Sequence, residues 1–264
     1  MTIAVSGLLL WSGNVAAQTP ETESLKVDLG AYFIFDTSTT LSYTSARSVG
    51  LTIDSERDLD WQSSMNVFRL DGRFRFTPAH SVDFSWFSFD RDGEVVLDEE
   101  LTWGDDVYPI NANLDTRMGR DTYRTSYIWS FHHDEKVELG VSLGLHVTQF
   151  SVDLEGTYNG RVVASNSNKL TAPLPVIGFV LNYAITPDLT WSNQFEVFYL
   201  SVNDAKGSLT DLRSSLEYAF DKRWGVGLAV VSNRLKAEYT DGQDRTLYLD
   251  DQVLGLNAYV TLRF

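Results

Sequence analysis

The residues best suited to chemistry lie in "FRLDGRFRF", Phe68 to Phe76. In an extended chain Arg69, Asp71, Arg73 and Arg75 share one face, and Phe68, Leu70, Gly72, Phe74 and Phe76 share the other. Guanidinium groups in a row hold carboxylates or anions through charge-assisted hydrogen bonds. The same alternation elsewhere puts Lys26, Arg124, Arg213 and Arg263 on the polar face. It also puts Asp28, Asp83, Glu138, Glu196, Asp211 and Glu217 there. Seven positive and seven negative charges cancel. Such groups, if enclosed, should pair, because an unpaired buried charge is costly.

Two smaller constellations stand beside this set. The four histidines are His80, His132, His133 and His146. The first three fall at turns, where solvation explains them, while His146 falls on the polar face, close enough to an outer rim to meet an acid such as Glu196. No nucleophile motif accompanies it, so no catalytic function is expected. In "SFDRDGEVVLDE" the residues Ser88, Asp90, Asp92, Gly93 and Glu99 match five positions of a calcium-loop template. Asp90, Asp92 and Glu99 would be the metal ligands. The serine at the first position and the strand-like flanks depart from that template.

The elements that must position these groups are strands. Two-residue alternation marks ten segments: 25–36, 62–76, 81–90, 121–131, 137–150, 169–185, 189–202, 208–220, 224–236 and 246–264. Tight turns at 77–80, 133–136, 186–188 and 221–223 alternate with longer loops near 44–60, 91–119, 154–168, 203–207 and 237–245. On one segment Val137, Leu139, Val141, Leu143, Leu145 and Val147 oppose Glu138, Gly140, Ser142, Gly144, His146 and Thr148. Phe76, Phe84, Phe131, Tyr183, Trp191, Phe220 and Trp224 cluster beside the short turns, as an interfacial girdle does.

The composition fits. The 264 residues carry a net charge of -15, no cysteine and 13% aromatics, with a mean hydropathy of -0.16. Lack of cysteine excludes disulfides and thiolate metal sites, and the excess of acid argues against nucleic acid as a partner. Beyond the N-terminus there is no apolar run long enough for a spanning helix. Residues 1–17, "MTIAVSGLLLWSGNVAA", read as a signal peptide without Lys or Arg, which leaves 18–264 as one barrel domain.

The last residues, "LGLNAYVTLRF", are the most specific stretch. Leu256, Ala258, Val260, Leu262 and Phe264 alternate with small or polar residues and end on an aromatic. This resembles the terminal strand of Gram-negative outer-membrane β-barrel proteins of the small porin-like class. The resemblance implies that these five residues are the signal read by the barrel assembly machinery. Leu262 departs from the pattern, which often has an aromatic there. It further implies an all-β, up-and-down antiparallel transmembrane barrel in the bacterial outer membrane, in contact with lipid and lipopolysaccharide. Ten strands are expected; apolar stretches within 91–119 allow a further hairpin and twelve.

Function reads first as passive passage of ions or small polar solutes through a narrow charged lumen. Gly140, Gly144, Gly225 and Gly227 leave room there, and Arg69, Arg73, Arg75 and Arg124 form its wall. The alternative is a closed structural or surface-interaction barrel with acidic extracellular loops. Third comes an enzyme of the omptin or lipid-modifying type. Asp98, Glu100, Asp105 and Asp106 enlarge the acidic patch, where divalent cations would bridge to lipopolysaccharide phosphates.

Overall fold

Ten strands close on themselves in a computed structural model that describes residues 24–45, 48–103, 106–202, 205–240 and 246–264. The strands are β1 (Leu25–Ser45), β2 (Ser48–Asp54), β3 (Met65–Thr77), β4 (His80–Val96), β5 (Leu101–Trp103), β6 (Asp106–Tyr108) and β7 (Asn113–His133). They continue with β8 (Val137–Tyr158), β9 (Arg161–Ala184), β10 (Leu189–Val202), β11 (Ala205–Ala219), β12 (Trp224–Thr240) and β13 (Thr246–Arg263). All main pairings are antiparallel, in the order β1-β3-β4-β7-β8-β9-β10-β11-β12-β13, and β13 pairs with β1 to close the ring. Closure pairs the first strand of the ring with the last, so no strand ends the sheet, as a spanning sheet requires. The expected signal peptide, 1–17, lies outside the described residues.

Side chains sort by parity. Leu143, Ile177, Leu216, Leu228 and Val230 face outward and are exposed, and so do the girdle residues Phe76, Phe131, Tyr183, Trp191, Phe220 and Trp224. An apolar outer band rimmed by aromatics at the short turns is a surface made for lipid. Leu256, Val260 and Phe264 share that outward face on β13. The Phe264 amide donates to the Leu25 carbonyl at 2.8 Å, so the terminal residue sits at the closing seam.

The four short turns lie where the sequence puts them, but the long loops are mostly strand. At 154–168 the ladder runs on to a hairpin at Asn159–Gly160, whose φ values of 49° and 72° suit a two-residue turn of the mirror-image type. Within 91–119, β4 continues to Val96 and β7 starts at Asn113, while β5 and β6 form a separate hairpin between them. That hairpin stays outside the ring, so the strand number is ten. Within 44–60 lie β2 and a single helical turn, α1 (Ser55–Asp58), capped by the Asp54 side chain, which accepts from the Arg57 amide. Alternation of apolar and polar residues stops where strands leave the lipid, because both faces of the wall are then polar or the outer one is. Strand geometry continues regardless.

Candidate functional site

The interior has a charged lower part and an apolar upper part. Near the short turns Arg75 Nη2 donates to Glu138 at 2.9 Å, and Ser130 and Asn182 donate to the same carboxylate at 2.5 and 2.9 Å. Arg73 donates to Asp83 at 2.7 Å. Lys26 and Arg263 both meet Glu217. Arg69 holds both oxygens of Asp71 at 2.9 Å, and Arg213 bridges Asp71 and Asp28 at 3.3 and 3.6 Å. Every charged residue singled out by alternation is thus in an ion pair, including the middle group. There Arg124 lies 3.5 Å from Glu196 and 4.0 Å from Asp211, and His146 Nε2 lies 3.0 Å from Glu196.

Above this stand two pairs that the sequence reading missed. Arg120 meets Asp251 and donates to Asn233 at 2.5 Å, and Arg91 meets Glu56 of α1 and the Thr39 hydroxyl. Thr39 in turn donates to Asp251 at 2.8 Å. Arg91, Arg120 and Asp251 are all 0% exposed. Arg120 projects from β7 and Asn233 from β12, five places apart in a ring of ten, so one side chain spans the lumen. Aromatic rings seat the guanidiniums: Arg120 lies 5.6 Å from the Phe150 centroid and Arg91 lies 4.8 Å from that of Trp61. Parity would have found Arg91, Arg120 and Asp251, because each continues the inward series of its own strand. Glu56 sits on a helical turn and carried no such signal.

Beyond these pairs the inward face turns apolar on strand after strand. Leu114 and Met118 of β7, Phe150 and Leu154 of β8, Leu209 of β11, Leu235 of β12 and Leu249 of β13 pack with Ile53, Leu59 and Trp61. The Trp61 indole donates to the Thr116 hydroxyl at 2.7 Å.

Three expectations are corrected. The lumen glycines do not leave space: the Tyr259 ring lies over Gly227, the Ser126 hydroxyl over Gly144, the Arg263 guanidinium near Gly225 and Ile128 against Gly140. His146 is not at the rim, because β8 runs on to Tyr158 and encloses the imidazole at 1% exposure. The calcium-loop stretch is not a loop: Asp90 and Asp92 point outward from β4, and Gly93 pairs with Thr116 within the ladder instead of turning. Asp92 instead meets Arg117 at 2.7 Å. Glu99 lies beyond the end of β4, so the three carboxylates are not wrapped around one point. Among the histidines, His133 turns inward to 3.8 Å from Glu138, while His132 stays exposed beside Asp134.

His146, Glu196 and Asp211 offer three metal-type ligand atoms within 4.8 Å of one another. The Arg124 cation already stands against both carboxylates, so the chemistry of the set is that of an ion pair with a histidine partner.

No protein-family model and no curated protein matches the chain. Among solved structures it is similar to the outer membrane protease OmpT from Escherichia coli, at 10% identity and a TM-score of 0.57, over 90% of this chain and 97% of that one. The fold is that of a Gram-negative outer-membrane β-barrel. The transport unit of the autotransporter AIDA-I from Escherichia coli aligns with 8% identity and a TM-score of 0.46, covering 93% and 91% of the two chains. Outer membrane protein OprG from Pseudomonas aeruginosa aligns with 9% identity and a TM-score of 0.37, covering 92% and 96%. With its apolar outer band and closed ring, this barrel has its place in the bacterial outer membrane.

Proposed function

We propose that this barrel is closed to passive flow and acts at the cell surface through its outer half. The observation that carries this reading is the side chain of Arg120, which crosses the lumen to Asn233 and Asp251 with no exposure to solvent. A small cavity of about 70 Å³ lies below it, bounded by Asp28, Asp71, Arg73, Arg124 and Arg213, and can hold a few waters. Cross-bracing of this kind favours a structural polar core over the solute passage suggested by charge balance and glycines alone. The same enclosure keeps His146 away from any substrate, which favours a non-catalytic role.

What the barrel presents to its surroundings is a divided outer belt. Above the lipid band, β4, β7 and β8 point Asp90, Asp92, Glu94, Asp115, Asp121, Asp153 and Glu155 outward, with Arg117 among them. Lys169 points outward from β9, next to this sector, and Lys206, Arg234 and Lys236 point outward from β11 and β12, with Glu238 and Asp250 as partners of the last three. Together these outward strand groups account for only a minority of the net charge of -15. Single-channel recording in a planar bilayer tests the reading, with folding checked by heat-dependent gel mobility. Folded protein should give a silent bilayer; reproducible conductance steps that change with Arg120→Ala would restore the passage reading and remove this one.

A further inference from the structure

The wall has a break between β9 and β10. Their ladder runs from Ala184↔Thr190 to Ile177↔Val197 and ends there, although β9 continues back to Arg161 and β10 on to Val202. On its other side β9 stays paired with β8 through this stretch, and β10 stays paired with β11. Two prolines account for the break. The Ala184 amide donates toward β8, to the Lys136 carbonyl at 2.8 Å, and the Ile185 amide donates toward β10, to the Leu189 carbonyl at 2.9 Å. Amide direction alternates along a strand. The register with β8 is unbroken over this part of β9, so odd-numbered residues aim at β10. The next two rungs would therefore be Pro175 opposite Tyr199 and Pro173 opposite Ser201, and neither proline has an N–H to give.

The break lies within the membrane band. Pro175 and Pro173 pair with Leu145 and Val147 of β8, which are the top of its lipid-facing stripe. An unsatisfied amide is expensive in hydrocarbon; the prolines remove the two donors that β9 would leave over, while the Tyr199 and Ser201 amides of β10 still face the seam. The residues behind the break are apolar. By parity Leu170, Leu174, Phe198 and Leu200 face inward, yet Leu170 is 52% and Leu200 43% exposed. Leu174 and Phe198 pack onto the apolar upper core. Above the opening, on the outward face of β9, stands Lys169, four residues or roughly 13 Å along the strand from Pro173.

We propose that the β9–β10 seam is a lateral portal through which an acyl chain of an anionic outer-leaflet lipid lies against Leu170, Leu174, Phe198 and Leu200. The lipid-facing band runs straight into the seam, so a chain enters without leaving an apolar surface. Lys169 stands at the seam to meet an anionic headgroup, and Lys206, Arg234 and Lys236 on β11 and β12 pair with Glu238 and Asp250. The acidic sector begins on the next strand, where Asp153 of β8 lies two residues beyond Ser151, the partner of Lys169. The paired charges beneath the core form the floor of the recess. This inference is separate from closure of the lumen and does not depend on it.

The test uses the full barrel in liposomes carrying a phosphatidylglycerol with a photoactivatable acyl chain, with adducts mapped by mass spectrometry. Adducts are expected at Leu170, Leu174, Phe198 and Leu200, in addition to the outward residues that any annular lipid labels. In Pro173→Val/Pro175→Val the two donors return and the seam can zip. Loss of the inward adducts is expected, together with slowed hydrogen exchange at the Tyr199 and Ser201 amides. Labelling confined to outward residues such as Ile177 and Phe179 in the unaltered protein would overturn the portal. So would inward labelling that persists in a variant whose Tyr199 and Ser201 amides have become protected. Should the variant not fold, Leu174→Trp/Leu200→Trp, which fills the recess, should likewise abolish inward labelling, and unchanged labelling there overturns the proposal. A phosphatidylcholine probe of the same chain that labels equally well would overturn the role of the headgroup charge.

Discussion

Two seams in this barrel have short ladders, and they are finished in opposite ways. Between β3 and β4 pairing stops at Arg69↔Phe87, although β4 continues to Val96. There the chain returns to cover the gap: the Leu59 carbonyl and the Trp61 ring lie against Gly93, and both residues are buried. Only glycine leaves room for that approach, since a side chain at 93 would strike the Leu59 backbone. Between β9 and β10 the pairing stops at Ile177↔Val197, and the apolar side chains behind it are left half exposed. The first seam is covered by returning chain, and the second lacks the β9 donors that would close it, leaving the Tyr199 and Ser201 amides facing the opening. A covered seam is part of the core; a proline-lined seam is an opening that tolerates lipid.

The largest expected effect comes from converting the first seam into something like the second. Trp61→Ala deletes the ring over Arg91, the hydrogen bond to Thr116 and contacts in the apolar cluster. A loss of about 3–5 kcal/mol is expected for truncating a buried aromatic. It should appear as a lower urea midpoint for loss of the folded gel band, together with faster exchange along the free edge of β4. Unchanged exchange there would mean that something other than Trp61 seals the seam.

A smaller loss is expected at the floor beneath both seams. Asp251→Asn keeps the shape and the contact with Thr39 but leaves Arg120 buried without its charge partner. The cost should be about 3 kcal/mol, the lower range for breaking a buried pair. Arg120→Met/Asp251→Leu should recover most of it, because replacing both charges with apolar groups is often neutral. If the floor serves both seams alike, Asp251→Asn will raise exchange on β4 and β10 together, without narrowing the difference between them.

The ring of ten strands and the charged interior were legible in the sequence because one face of each strand meets lipid. Where that contrast persists, parity placed fourteen charged residues inward and each now has a partner. Where strands rise above the lipid, the outer face turns to Asp92, Arg117 and Asp153 and the contrast vanishes. The upper strands therefore read as loops in the sequence, and Arg91 and Arg120 escape the alternation with them. Carrying each strand's parity onward would have recovered both. The seams were less legible. Pro173 and Pro175 were in plain view inside a strand, but their meaning depends on which neighbour their amides would have faced, and that is fixed only by register. Covering of β4 by Leu59 and Trp61 is a long-range contact with no local signature.

The smallest effect concerns the opposite end of the barrel and serves as a check that the seam difference is local. At two short turns Asp134 accepts from the Lys136 and Val137 amides at 2.8 and 2.7 Å, and Asp221 accepts from those of Arg223 and Trp224 at 2.7 and 2.8 Å. These amides hold both carboxyls below the usual carboxylate range. A depressed folded value means that the stabilisation is present above the unfolded value of about 3.9 and fades as pH falls below it. Acid should therefore speed exchange at the Lys136, Val137, Arg223 and Trp224 amides, after allowance for the intrinsic pH dependence of exchange. Asp134→Asn should remove that pH response at the first turn only. The contrast between β4 and β10 should be unaltered over the same range, because neither proline lines its seam with a titrating group. A seam difference that collapsed in step with the turns would mean that the ends of this barrel are coupled through its interior charge network, and that the openness of the β9–β10 seam is set from below rather than by Pro173 and Pro175.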